Sequence, residues 1–318
     1  MRKFTTNMTH FDTSSSQTNL PFISKIMILV GLTMIFMVIG SVIGIFFFTQ
    51  ITGMPFADVA NFQKHLNDYP NMYDAVMALQ TFSTPLPFIG ASFFFWYIIE
   101  KQTVDTLSFH EVKPSVFIVV ALLVIGFMGF DALIIEWNQG IIFPESLKGI
   151  EKWMKDSEQS AGEMTKFLTS FKTPSQLIVA MVVVAVLAGI SEELLFRGVL
   201  QNITLRAFGN PHVAIWFAAF TFSFIHLQFY GFFPRMLLGA LFGYLYYWTK
   251  NIWVPMFAHF VNNGFTLLMA YLYSTKAVKI DIEDTKSVPL SMALGSLLFT
   301  VLILRWFWMN RAELKHKR

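Results

Sequence analysis

The chain has 318 residues, of which 55% are hydrophobic, 17% aromatic and 14% charged, with a formal net charge of +3 and no cysteine. These few charged residues cannot cover the surface of a water-soluble globular protein, and the composition therefore excludes that class. It predicts an all-α polytopic membrane protein. The lack of cysteine excludes disulfides and thiolate chemistry. The sequence has no basic patch interleaved with aromatic residues, so nucleic acid is not expected as a partner.

Membrane-spanning helices are the main predicted elements. A helix needs roughly 20 apolar residues to cross a bilayer, and about eight stretches of the chain provide them. In chain order these predicted spans are 26–48, 73–99, 116–135, 175–205, 213–228, 233–249, 252–273 and 290–309. The chain is thereby divided into a polar N-terminal tail (1–22), N-terminal transmembrane helices (23–174), a helical core (175–273) and a last transmembrane helix with a basic tail (274–318). Gly40/Gly44 and Gly239/Gly243 have the spacing that lets helices approach closely in lipid.

Basic residues near both ends of the sequence predict the orientation. Arg2, Lys3 and Lys25 precede the first span, and the sequence ends in RAELKHKR. The positive-inside rule places such ends in the cytoplasm. The first apolar stretch is too long for the hydrophobic part of a cleaved signal peptide, which predicts an uncleaved anchor. Since no organelle signal is apparent, we expect an integral protein of a bacterial plasma membrane.

The segment 136–174 is the one sizeable region without a spanning pattern. Within it Leu147, Ile150, Trp153 and Met154 recur at helical spacing among lysines and glutamates. This pattern is typical of a helix that lies on the membrane interface. Two interpretations stay open, a simple covered loop and a gate for substrate.

The sequence GISEELLFRGVL at 189–200 carries three charges directly after an apolar run. An ionised side chain near the bilayer centre costs about 2.5 to 3.5 kcal/mol, so these groups must pair or face a hydrated cavity. Glu193 and Arg197 are four residues apart and share a helical face, which favours an ion pair. Glu192 is rotated about 100° from Glu193 and has no basic partner on its helix, which makes it the candidate proton acceptor. Alternatively, the helix leaves the membrane at Gly189 and the charges are interfacial.

Two histidines occur in later predicted spans. His226 follows Phe222 by four residues, so the phenyl ring can shield the imidazole from lipid. His259 precedes Asn263 by four residues, so the amide can orient the ring or donate to an oxyanion. Packing explains a single such histidine, but two with a carboxylate indicate a site that binds a metal, deprotonates water or relays protons. The histidines lie roughly 21 Å and about 10 Å from the starts of their spans, and these depths do not match.

Three motifs carry a resemblance to a known family. EELLFR at 192–197, FSFIH at 222–226 and HFVNN at 259–263 occur in this order, each in a predicted span. They resemble the motifs EExxxR, FxxxH and HxxxN of the CAAX prenyl endopeptidase and bacteriocin-processing family of intramembrane proteases, also called the CPBP or Abi family. The resemblance covers the helical core at 175–273, and the other segments carry no such motif.

The resemblance implies that a glutamate and histidines activate a water, which hydrolyses a peptide bond inside a helical membrane core. It assigns roles by position: Glu192 as the general base, Glu193 and Arg197 as its supporting pair, His226 and His259 as water- or metal-binding imidazoles, and Asn263 as the transition-state hydrogen-bond donor. It also implies a divalent metal, expected to be zinc, with Glu192, His226 and His259 as ligands, although the HExxH pattern is absent. The expected partners are membrane lipid and a peptide or protein substrate, which is a prenylated C-terminus, a leader peptide or a membrane-anchored protein.

Two other functions compete with proteolysis. A proton-coupled transporter would use the same Glu/His set as a relay, and it predicts polar residues in many helices and a repeat between the two halves. The N-terminal half offers little beyond Asp74 and Asp131, each near a span end, which favours the protease. A member of the family that has lost activity and serves as a scaffold is disfavoured because every motif position is occupied.

Overall fold

The computed structural model describes residues 20–102, 111–279, 288–311 and 313–314. This part of the chain is helical and contains no strand, so the predicted all-α class is confirmed. Most of the predicted N-terminal tail, with Arg2 and Lys3, and most of the basic C-terminal tail lie outside the described residues.

Twelve α-helices occur in the described residues. They are α1 Phe22–Thr52, α2 Met72–Ser83, α3 Pro85–Phe94, α4 Ser115–Gln139, α5 Lys148–Thr169, α6 Pro174–Ala180, α7 Ala188–Glu193, α8 Asn202–Phe208, α9 Pro211–Phe224, α10 Phe232–Thr249, α11 Trp253–Ser274 and α12 Leu290–Asn310. Short 3-10 helices lie at Phe56–His65, Glu145–Leu147 and Phe229–Gly231, and π-helical segments at Phe95–Ile99, Met181–Leu187 and Leu194–Gln201.

Five helical segments in the described part of the chain are long and apolar enough to cross a membrane. They are Phe22–Thr52, Met72–Ile99, Ser115–Gln139, Pro174–Phe208 and Leu290–Asn310. The three other predicted spans correspond to α9, α10 and α11, which are also apolar helices. The molecule is therefore a polytopic all-α membrane protein, as its composition predicts.

The predicted span 213–228 is too long. Helix α9 ends at Phe224, and the chain then makes a turn in which Leu227 has a positive φ of 53°. Side-chain hydrogen bonds stabilise this turn: Ser223 Oγ donates to the Phe232 carbonyl at 2.6 Å. This bond joins residues nine positions apart and does not alter the apolar pattern of the sequence. The sequence therefore does not reveal where the helix stops. His226 consequently lies in the turn and not in a spanning helix.

The helix predicted within 136–174 is confirmed as α5. Its N-terminal half keeps apolar side chains exposed, with Ile150 and Trp153 each about half accessible. Trp153 packs against Phe229 in the turn after α9, at 5.4 Å between ring centroids. Further along, Phe167 contacts the ring of Tyr73. The helix therefore joins the turn that carries His226 to the N-terminal helices.

Two clusters of buried side chains pack among the helices that carry the sequence motifs. The first includes Leu195 and Phe222 and is built mainly from α1, α3 and the chain around α7 to α9. The second includes Phe242 and Ala258 and joins α4, α10, α11 and α12. Helices α10 and α11 contribute to both clusters, with Tyr246 and Met256 in the first and Phe242 and Ala258 in the second, so the two clusters meet at these helices.

Glycines allow the close helix contacts that their spacing predicts. Gly40 lies against the backbone carbonyl of Phe82, where an added Cβ would overlap the oxygen. In α10, a Cβ on Gly239 would lie 3.3 Å from both Cα and Cβ of Ala219 in α9. The predicted role of these glycines in helix packing is confirmed, and α9 and α10 form a close pair.

Candidate active site

The charged motif lies inside a continuous helical segment that runs from Pro174 to Phe208. The side chains of Glu193 and Arg197 are fully buried within it. The charges therefore lie in the packed interior of the helices, which favours the paired arrangement over solvent-exposed charges at the membrane interface.

Two π-helical segments flank α7, the short helix that carries both glutamates. A π-helix replaces the usual i→i+4 hydrogen bonds with i→i+5 bonds, and such turns occur often at functional sites. The wider turn alters which carbonyls are free to bond with side chains. One of them, the carbonyl of Val184, accepts a hydrogen bond from α11, as described below.

Glu193 and Arg197 form the predicted ion pair. Arg197 Nη1 donates to Glu193 Oε1 at 2.7 Å, and Nη2 donates to the carbonyl of Gly239 in α10 at 2.7 Å. The guanidinium also packs over the rings of Phe222 and Phe242, at 5.2 and 5.6 Å from their centroids. A charge buried this deeply is tolerated because it is paired and hydrogen-bonded.

The same carboxylate orients His259. Glu193 Oε1 lies 2.9 Å from His259 Nδ1. Because a carboxylate already paired with an arginine acts as the acceptor, the proton of the neutral imidazole resides on Nδ1. His259 Nε2 is then a free lone pair, and it faces Glu192 Oε2 at 3.8 Å. That distance is too long for a direct hydrogen bond and suits a single bridging water.

The close approach of α7 and α11 makes this contact possible. A Cβ on Gly189 would lie 3.3 Å from the Met256 carbonyl, 3.4 Å from the Phe260 amide nitrogen and 3.5 Å from His259 Cβ. Any larger residue at 189 would push against backbone atoms, which cannot move aside as a flexible side chain can. The small residue thus brings Glu193 within hydrogen-bonding range of His259.

Glu192 is the more accessible of the two acids. Its side chain is 10% exposed, whereas that of Glu193 is 0% exposed. Its closest ionic partner in the described residues is His259 Nε2. The structure thus agrees with the inference from spacing that Glu192 is the freer carboxylate.

His226 folds back onto α9 from the turn that follows it. Its Nδ1 lies 2.7 Å from the Phe222 carbonyl, and a carbonyl can only accept, so Nε2 is again the unprotonated nitrogen. The His226 ring contacts the Phe222 ring edge-on at 5.0 Å between centroids, and the His259 ring contacts the same phenyl at 6.1 Å. Both imidazoles therefore approach one aromatic ring, and the turn reduces the mismatch in depth expected from two straight helices.

Asn263 bonds to groups other than His259, and its role as a transition-state hydrogen-bond donor stays a prediction. Its Nδ2 donates to the Val184 carbonyl at 2.9 Å, and its Oδ1 accepts from Asn262 at 3.0 Å. The ring of His259 is oriented by Glu193 instead. Helical spacing put Asn263 on the right face, but the carbonyl in the π-helical segment provides a partner that spacing cannot show.

The predicted metal ligands are only partly assembled. Glu192 and His259 are neighbours, but among the described residues no group of three or more His, Asp or Glu side chains is placed to hold a metal ion. The available nitrogens have the right chemistry, because each histidine presents Nε2 while an oxygen acceptor binds its Nδ1. The three-ligand zinc site of Glu192, His226 and His259 stays a prediction.

The sequence reading did not single out Arg235, which lies next to these residues. This arginine of α10 is close enough to interact electrostatically with Glu192 and His226. A signal was present, because an arginine in the predicted span 233–249 must face a polar environment.

Comparisons with known proteins agree with the motifs. Residues 174–265, which include all six candidate residues, match the family described as "Type II CAAX prenyl endopeptidase Rce1-like". Two curated relatives are from Bacillus subtilis. "Uncharacterized protein YpbD" is 29% identical over 35% of this chain and 54% of its own length, and "Putative membrane peptidase YdiL" is 32% identical over 30% of this chain and 38% of its own.

The chain thus spans about half or less of the curated relatives that it matches. No solved structure matches it. The resemblance to the intramembrane CAAX-type protease family is confirmed for 174–265, and it supports an integral membrane peptidase.

Proposed function

We propose that this protein is an intramembrane endopeptidase in which Glu192 activates the water that hydrolyses the peptide bond. One observation carries the proposal: Glu193 is fixed by Arg197 and orients His259, whose free Nε2 faces Glu192 at 3.8 Å. A locked acid, an oriented imidazole and a second, more accessible acid are the parts that general-base hydrolysis needs. The family match and the relative named as a membrane peptidase support the same class of reaction.

We infer the following reaction from these positions. A water between Glu192 Oε2 and His259 Nε2 is held by both acceptors, so its oxygen lone pair points away from them. Glu192 takes one proton while the water oxygen forms a bond to the carbonyl carbon of the substrate. The proton then passes from Glu192 to the amide nitrogen, the carbon–nitrogen bond breaks, and a carboxylic acid and an amine leave. Glu193 and Arg197 do not react, since their role is to hold His259 in one tautomer.

A divalent metal, with zinc as the proposed ion, would use Glu192 and the Nε2 atoms of His226 and His259. When bound, it would polarise the substrate carbonyl and acidify the water. The carboxylate that backs His259 is the usual support of a metal-binding imidazole. The match to a CAAX prenyl endopeptidase family favours a prenylated C-terminal peptide as the first substrate to test, followed by a leader peptide or a membrane-anchored protein. We place the enzyme in a bacterial plasma membrane.

The decisive experiment compares three forms of the full chain purified in detergent: wild type, Glu192→Gln and Glu151→Gln. Glu151 is a glutamate of α5 that pairs with Lys155, far along the chain from the motifs. We expect wild type to cleave at least one peptide of a panel of fluorogenic, prenylated and leader sequences. Loss of the general base should lower kcat by about 10² to 10⁴, whereas Glu151→Gln should cleave normally.

Equal cleavage by wild type and Glu192→Gln would contradict the assignment. Proton flux in liposomes serves as the second measurement. A flux that is lost in Glu192→Gln, together with no cleavage of any peptide by wild type, would favour the transporter instead.

A further inference from the structure

The turn between α9 and α10 carries His226 and is bound from two sides. Ser223 Oγ, at the end of α9, donates to the carbonyl of Phe232. From α4, Asn138 Nδ2 donates to the carbonyl of Phe229 at 3.0 Å. These bonds fix the end of the turn that is farther from His226, so the position of the imidazole depends on what holds the residues next to it.

Arg235 holds those residues. Its Nη2 donates to Gln228 Oε1 at 2.6 Å, and its Nη1 lies 3.5 Å from the Gln228 carbonyl. The guanidinium also lies against Gly231, where an added Cβ would be 3.3 Å from Nη2. One arginine therefore contacts Gln228, which lies two residues after His226, and Gly231 at the end of the turn.

Acidic side chains from three other helices face Arg235. They are Asp131 of α4, Glu158 of α5 and Glu192 of α7, all close enough to interact electrostatically with the guanidinium. Glu158 also lies close enough to the backbone of Tyr230, in the turn, to interact with it electrostatically. These acids favour a guanidinium at this point, because a partly buried positive charge is stabilised by nearby negative groups.

We propose that Arg235 is a positioning residue of the candidate active site, which sets the location of His226 by binding the turn that follows it. The proposal rests on the proposed function, because it presumes that His226 takes part in the reaction. Arg235 acts through the turn and need not touch the substrate. A displacement of about 1 Å of a catalytic group can cost about 10²-fold in rate, which is how this contact affects turnover.

Kinetics of Arg235→Met and Arg235→Lys test the proposal. Methionine keeps much of the side-chain length but donates no hydrogen bond, so we expect kcat to fall about 10- to 10²-fold with KM nearly unchanged. Lysine restores one donor to Gln228 without the planar fork, so it should recover part of kcat. This partial rescue separates positioning from a general loss of folding.

Arg206 provides the matched control. It is a partly buried arginine of α8 that lies 3.8 Å from Glu100 and over the ring of Trp96 at 5.2 Å. Arg206→Met removes a similar buried charge away from the turn, so it should lower thermal stability and leave kcat unchanged. An unchanged kcat in Arg235→Met, or an equal loss in Arg206→Met, would overturn the proposal.

A second measurement does not depend on activity. The chain has no cysteine, so Leu227→Cys gives a unique site for a nitroxide label, at an exposed position next to His226. Arg235→Met in this background should narrow the spectral lines as the turn loosens, whereas Arg206→Met should not. Failure of wild type to cleave any peptide would remove the proposed function and not this contact, and an unchanged spectrum in Arg235→Met would refute the positioning role by itself.

Discussion

Replacing Glu193 with glutamine removes one charge of the buried ion pair and keeps the size of the side chain. Arg197 would retain the Gly239 carbonyl as a partner but would lose its counter-charge in a fully enclosed position. The imidazole of His259 would lose its charged acceptor at the same time. The variant should therefore be less stable and should also lose activity.

The size of the effect follows from burial. Breaking a buried pair by removing one partner costs about 3 to 5 kcal/mol, because the remaining charge stays out of water without compensation. The chain contains a second pair with the same i, i+4 spacing, Glu151 and Lys155 in α5, at 2.6 Å. That lysine is 61% exposed, and exposed helical pairs contribute only about 0.3 to 0.5 kcal/mol. Breaking the pair at the two sites should therefore lower the free energy of unfolding by amounts that differ about tenfold.

Reversible unfolding in mixed detergent micelles measures both losses under one condition. We expect Glu193→Gln to unfold at a much lower denaturing fraction than wild type and Glu151→Gln to unfold close to wild type. The double variant Glu193→Leu/Arg197→Met should lose less stability than Glu193→Gln, because no uncompensated charge is left behind. Similar losses in Glu193→Gln and Glu151→Gln would refute the reasoning that burial decides the energy.

Three further predictions concern packing, pH and metal. Gly239→Val should destabilise the protein by about 1 to 3 kcal/mol, because even a Cβ would lie 3.3 Å from the backbone of Ala219, whereas Gly295→Val, with nothing within 4 Å, should change the unfolding midpoint little. Burial raises the pKa of Glu158 above its ordinary value of 4.5, while the backbone of Tyr230 and a nearby arginine offset this in part. The stability that this carboxyl group contributes is present below pH 4.5 and is lost as the pH rises through its raised pKa. Glu158→Gln should therefore flatten the curve of unfolding free energy against pH above pH 4.5. Zinc should be found in purified wild type and depleted in His259→Ala, and cleavage should stop with a chelator and return with zinc; cleavage that persists in metal-free protein would contradict a metal requirement.

Much of the fold follows from the sequence because lipid demands long apolar helices. The predicted span 233–249 agrees with α10 at Phe232–Thr249 to within one residue at its start. The prediction fails where bonds between distant residues decide the outcome, as at the end of α9. The π-helical segments beside α7 were not foreseen, since widening a turn leaves the apolar composition unchanged.

The site shows the same division. The Glu193–Arg197 pair is local and follows from four-residue spacing on a helix. The Glu193–His259 contact joins residues 66 positions apart, and it needs the approach of α7 to α11 that no motif reports. Arg235 lay outside the three motifs, although its charge in an apolar span was a visible signal.

The glycine contact between α7 and α11 decides which of two neighbouring glutamates binds Nδ1 of His259 and which faces Nε2. If the helix slid by one residue, Ala188 or Ile190 would replace Gly189 against the Met256 carbonyl, where a single added carbon is already crowded. Such a slide would also turn each carboxylate by about 100° and would move one glutamate into the place of the other, with Ser191 or Leu194 in the position left behind. Gly189 thus fixes the register of α7 against α11. In this register two adjacent glutamates have different partners, Glu193 at His259 Nδ1 and Glu192 at His259 Nε2.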